Sequence, residues 1–72
     1  MDLIIIGKVI RQLREKKHLT QEVLSGLADI DRGYLGKIEN GKYNLTVMVL
    51  YKIADALGIS ASDILRAAEE LE

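Results

Sequence analysis

Apolar residues recur every three or four positions along most of this chain, and no proline interrupts them. That spacing predicts helices throughout, because residues three and four apart share one face of a helix. The first predicted helix runs from about Asp2 to Lys17, with Ile6, Val9, Ile10 and Leu13 as its apolar stripe. The run Leu3-Ile4-Ile5-Ile6 is β-prone and makes the start of that helix its weakest point. The second helix begins at Thr20, whose hydroxyl suits an N-cap, with Glu22 well placed in the first turn, and continues to about Ala28. Asp31 caps the third, which runs to about Glu39 and stops at Asn40-Gly41, a left-handed C-terminal signal. Thr46 caps the fourth, about Val47 to Leu57, which ends at Gly58. Ser60 caps the fifth, with Asp63 completing an acidic variant of the capping box, and that helix runs to the C-terminus. Short connections between short helices imply a compact all-α five-helix bundle.

Composition narrows the reading. The chain has 72 residues, enough for one small domain, and its apolar fraction of 49% is too high for a disordered tail. There is no cysteine, and His18 is the one histidine, so neither a disulfide framework nor a cluster of thiolate or imidazole metal ligands is available. The apolar run Leu3 to Ile6 is far short of a membrane span or a signal-peptide core, so a cytoplasmic protein is expected. The start methionine and compact layout read as a whole protein. No nucleophile with a base partner, glycine-rich phosphate loop or metal-loop spacing occurs, and no catalytic residue, cofactor or metal is predicted. The net charge of −1 hides an asymmetry. Residues 1–42 carry eight Lys/Arg against six Asp/Glu, whereas residues 43–72 carry two against five. Such a chain can meet an anion with its first half and a partner with its second.

The strongest signal lies in Thr20 to Gly41, TQEVLSGLADIDRGYLGKIENG. Two short helices flank a tight turn at Ala28-Asp29-Ile30, with Leu24 and Leu27 before it and Leu35 and Ile38 after it. Ser25 is small where the two helices must approach closely. This is the pattern of a helix-turn-helix whose second helix is presented outward. Together with IGKVIRQLREKKHLTQEVLS, YLGKIENGKYNLT and LYKIADALGIS, it resembles the XRE-type helix-turn-helix domain of phage repressors and Cro proteins. The likeness covers roughly Ile6 to Ser60, and DRGYLGKIENGKYNLT is most similar to the small controller proteins of restriction–modification systems.

The resemblance implies a phage-repressor type of DNA-binding domain that dimerises on operator DNA, with residues 31–39 as recognition helix in the major groove. Arg32, Gly33, Tyr34 and Lys37 then face the base edges. Arg32 is the first candidate, since guanidinium can bond bidentately to guanine, and Lys37 can reach a base or a phosphate. Gln21, Asn40, Lys42, Tyr43 and Asn44 match positions that contact phosphates. Arg14 and Glu39 match an internal salt bridge between the first and third helices. Asp29 stands where the family often has glycine, a position that aspartate tolerates better than most residues. Gly33 and Gly36 weaken the recognition helix, and Gly33 leaves a reading position without a side chain, which raises the share of DNA shape in selection.

The apolar residues Ile59, Ile64, Leu65, Ala68 and Leu71 exceed what five short helices bury in one subunit, so they are expected to form a two-fold interface within residues 47–71. The leading reading is thus a homodimeric transcription regulator on a pseudo-palindromic operator of double-stranded DNA. Activation would require a surface for RNA polymerase, for which the acidic second half is the candidate. The other reading is a protein-interaction module of antitoxin or sporulation-regulator type, with DNA binding secondary.

Overall fold

The computed structural model describes residues 2–72. Among them the chain forms five helices: α1 (Leu3–Lys16), α2 (Gln21–Ala28), α3 (Arg32–Glu39), α4 (Val47–Leu57) and α5 (Ala61–Leu71). Each starts where a short polar side chain accepts a hydrogen bond from a backbone N–H that the first turn leaves unpaired. Asp2 accepts from Ile4 at 2.7 Å, Thr20 from Val23 at 3.1 Å and Asp31 from Tyr34 at 3.0 Å. Thr46 accepts from Val49 at 3.1 Å, and Ser60 from Asp63 at 3.1 Å. Asp63 returns the favour by accepting from the Ser60 N–H at 3.0 Å, which closes the capping box. Those bonds to Ser60 hold the Asp63 carboxyl below its ordinary range.

The β-prone start of α1 is helical because the Asp2 cap and tertiary contacts override local preference. Ile5 and Ile6 pack against the core from this first turn. At the other end of the turn chemistry, Asp29 adopts the left-handed conformation (φ 56°) and donates its backbone N–H back to the Gly26 carbonyl. Gly58 ends α4 in the same way.

The helices enclose one core, dominated by Ile10, Leu24, Leu35, Ile38, Ile53, Leu57 and Ile64. α1 packs on α3 and α5, α2 on α3 and α4, and α4 on α5. A tight approach lies at Gly7. A Cβ there would run into the Ile38 carbonyl oxygen and lie 3.0 Å from that of Glu39, so α1 crosses the end of α3 backbone to backbone. Burying the apolar face of α3 in this way leaves its opposite face free.

One expectation about apolar residues is corrected. Ile64 and Ala68 are fully buried inside the subunit and are closed to a second copy. They lie on α5 with Ala61 along one buried stripe that belongs to the single core, and α5 packs on both α1 and α4. Leu27 is 62% exposed and takes no part in the core. α2 buries Leu24, Ser25 and Ala28, and Leu27 lies roughly 100° round the helix from the centre of that arc. α4 carries the largest group of apolar side chains left in solvent, Val47, Met48 and Tyr51, which are 70%, 66% and 55% exposed; Ile4, Val23, Leu27, Tyr43 and Leu71 are exposed elsewhere.

Candidate nucleic-acid interface

α3 divides its eight residues between two roles. Leu35, Ile38 and Glu39 turn inward, while Arg32, Gly33 and Lys37 are exposed and Tyr34 is half-buried. Arg32 opens the helix immediately after the Asp31 cap. It makes no hydrogen bond or ion pair within the described residues, so its guanidinium is available to an outside acceptor. The turn before α3 is fixed by Asp29 and by the Ile30 N–H, which donates to the Ser25 carbonyl at 3.0 Å. Ser25 itself is buried between the helices, its hydroxyl donating to the Glu22 carbonyl at 3.0 Å.

A buried polar network sets the height of α3 on the domain. The Arg14 guanidinium grips Glu39 with two bonds, Nε to Oε2 at 2.8 Å and Nη2 to Oε1 at 3.0 Å. Its third nitrogen donates to the Leu19 carbonyl at 2.8 Å. Gln21 Nε2 also donates to Glu39 Oε1, at 3.1 Å. One carboxylate therefore ties α1, α2 and α3 together, and no buried side-chain polar atom among the described residues lacks a partner. The hydrogen bond to Glu39 raises the Arg14 pKa above its ordinary value, against the opposing effect of burial. Gln21, read from sequence as a phosphate contact, spends one amide hydrogen on this network and keeps the other.

The remaining sequence-derived candidates gather in the loop after α3. Gly41, at φ 71°, turns the chain there, and a Cβ on it would fall 2.7 Å from Ile4 Cγ1. Asn40, Lys42, Tyr43 and Asn44 are exposed around this turn. Tyr34 donates its hydroxyl to the Asn44 carbonyl at 3.2 Å, and its ring lies 6.1 Å from that of Tyr43. Lys37 Nζ sits 4.8 Å from the centroid of the Tyr43 ring. Arg32, Lys37 and Lys42 are thus all exposed, and Lys37 joins α3 to the loop through Tyr43. Sequence reading named these residues but missed their mutual contacts, which depend on how the loop folds back. It also missed Gly7, for which a glycine inside a strongly apolar helix was the available signal.

The two glycines of α3 differ. A Cβ on Gly36 would meet Gln21 at 3.6 Å, an ordinary contact, whereas one on Gly33 would press on Asp31 Oδ2 at 3.0 Å. Gly36→Ala is therefore expected to stabilise the fold by about 0.5–1 kcal/mol. Gly33→Ala should gain less, because it disturbs the cap. Thermal unfolding of the two variants checks this, and equal gains would show that the cap yields without penalty.

Residues 10–64 match the helix-turn-helix family over most of the chain. The chain belongs to that family, in its XRE-type branch. This helix-turn-helix protein is 40% identical over 65 residues to the control protein C.MunI of a Mycoplasma species, covering 89% of this chain and 88% of that one. It is 35% identical over 66 residues to an HTH-type transcriptional regulator of Sinorhizobium fredii, covering 92% and 86%. Among solved structures it is similar to the restriction–modification controller protein C.AhdI of Aeromonas hydrophila. The TM-score is 0.85 at 37% identity, covering 86% of this chain and 94% of that one. No helix among the described residues is long and apolar enough to cross a membrane.

Proposed function

We propose that this helix-turn-helix protein is a cytoplasmic transcription regulator of the restriction–modification controller type, acting as a homodimer on a pseudo-palindromic operator. The observation that carries the reading is Arg32, exposed and unpaired at the start of a helix whose other face is locked into the core. A guanidinium so placed can enter the major groove and bond a guanine edge, while Lys42, Asn40 and Asn44 meet flanking phosphates. The family membership and the names of the relatives support the same reading.

The second copy fits best on α4. Val47, Met48 and Tyr51 form the exposed apolar surface that α5 was expected to supply, with half-buried Ile59 and Leu65 and exposed Leu71 left as flanking candidates. A two-fold axis there would set two recognition helices about one DNA turn, about 34 Å, apart. Tyr51→Lys is expected to give a monomer at micromolar protein by sedimentation velocity. A variant that stays as dimeric as the wild type would place the interface elsewhere.

Selection of sites from a randomised duplex library tests the function. The expected result is an inverted repeat with half-sites about one turn apart. Arg32→Ala should lose about 1–3 kcal/mol of discrimination at one base position of each half-site. Lys42→Ala should weaken all sequences alike and flatten the salt dependence. If folded protein enriches no sequence at low salt, the operator reading fails.

A further inference from the structure

The arrangement around Tyr43 bears on which residues of the interface read sequence. Lys37 follows Gly33 by one helical turn, and its ammonium lies 4.8 Å from the centroid of the Tyr43 ring. Tyr43 belongs to the loop after α3, and that loop is itself held. Tyr34 donates its hydroxyl to the Asn44 carbonyl at 3.2 Å and packs its ring 6.1 Å from that of Tyr43. No carboxylate among the described residues pairs with Lys37. The aromatic face is thus the partner that restricts an otherwise mobile, four-carbon side chain.

From this we infer that Lys37 is a phosphate contact, with Tyr43 as the positioning residue that aims it; the inference rests on the DNA-binding reading above. The ring holds the ammonium on the loop side of α3, against the residue that follows Lys42 in the chain. A compact ammonium is a point charge without the planar fork that matches a guanine edge, so it suits a phosphate placed along the loop. Tyr34 spends its hydroxyl on Asn44 and acts as the brace that holds the loop in register. Direct base reading by α3 then falls on Arg32 alone, and Tyr43 contributes through its ring, not through a hydroxyl bond to phosphate.

The test measures binding of the wild type, Lys37→Met, Tyr43→Leu and Tyr43→Phe to the selected operator and to an unrelated duplex, each over a range of salt. Lys37→Met is expected to weaken both duplexes by the same factor and to lower the salt slope by about one. Tyr43→Leu should weaken both roughly three-fold, the scale of an exposed cation–π contact. Tyr43→Phe keeps the ring and should bind like the wild type. If Tyr43→Phe is as weak as Tyr43→Leu, the hydroxyl is the contact and the proposal is overturned. It is also overturned if Lys37→Met weakens the operator alone, which would make Lys37 a base reader.

A readout without DNA separates this proposal from the reading beneath it. The ε-methylene protons of Lys37 should be shifted upfield by the ring in the wild type and in Tyr43→Phe, and unshifted in Tyr43→Leu. Absence of that shift in the wild type removes the positioning role of Tyr43. A normal shift in protein that binds no duplex at low salt removes the DNA reading, and the phosphate assignment of Lys37 with it.

Discussion

Replacing Glu39 by alanine is expected to lower the stability of the fold by about 3–5 kcal/mol. The carboxylate is nearly inaccessible and accepts two bonds from Arg14 and one from Gln21. Its removal leaves a buried guanidinium without a counter-charge and frees α3 from both α1 and α2. For a 72-residue domain that loss is comparable with the whole stability, so the variant should be largely unfolded at 25 °C. Urea denaturation followed by circular dichroism measures the change. The double variant Arg14→Met, Glu39→Leu is the informative partner. It removes both charges together and should recover most of the loss, because the penalty lies in the orphaned charge and not in the missing attraction. A Glu39→Ala protein within 1 kcal/mol of the wild type would mean that water reaches Arg14 freely.

Gly7→Ala should be nearly as damaging, at about 3 kcal/mol or more, although it adds a single methyl group. The new Cβ would be driven into the Ile38 carbonyl, and its neighbours there are backbone atoms that cannot rotate aside. α1 and the end of α3 must separate, which strains the Arg14–Glu39 grip at the same point. Gly26→Ala is the internal control, since nothing lies within 4 Å of a Cβ at Gly26. There the better helix propensity of alanine acts alone and should stabilise by up to about 1 kcal/mol. The comparison is read from two denaturation midpoints. Similar midpoints would contradict the backbone contact between α1 and α3.

The helices were legible in the sequence because their boundaries are local chemistry. Thr20, Asp31, Thr46 and Ser60 cap from within the segments they begin, and Asp29 and Gly58 supply the left-handed turns without help from distant residues. What was illegible depends on phase and on long-range approach. An eight-residue helix such as α2 has too few turns for periodicity to say which of Leu24 and Leu27 faces in. The fate of Ile64 and Ala68 turned on how α1 and α4 pack on α5, which no pattern within α5 contains. Arg32, Lys37 and Lys42 are exposed, as a DNA-facing role requires, yet their organisation was hidden. The contact of Lys37 with Tyr43 exists only because the loop after Gly41 returns alongside α3.

The two-faced construction of α3 has a consequence for how such proteins diversify. Leu35, Ile38 and Glu39 hold the helix in place, while Arg32 and Lys37 contribute nothing to that hold. Substitutions at these two outward positions are therefore close to neutral for folding, and their effects fall on recognition. On the reading proposed above, a duplicated gene can drift at the Arg32 codon to sample new operators and at the Lys37 codon to tune affinity, and keep a folded product at every step. The inward residues allow no such wandering. Lineages descended from this chain should differ at the outward positions far sooner than at the inward ones, and regulators that no longer share an operator can still share a scaffold.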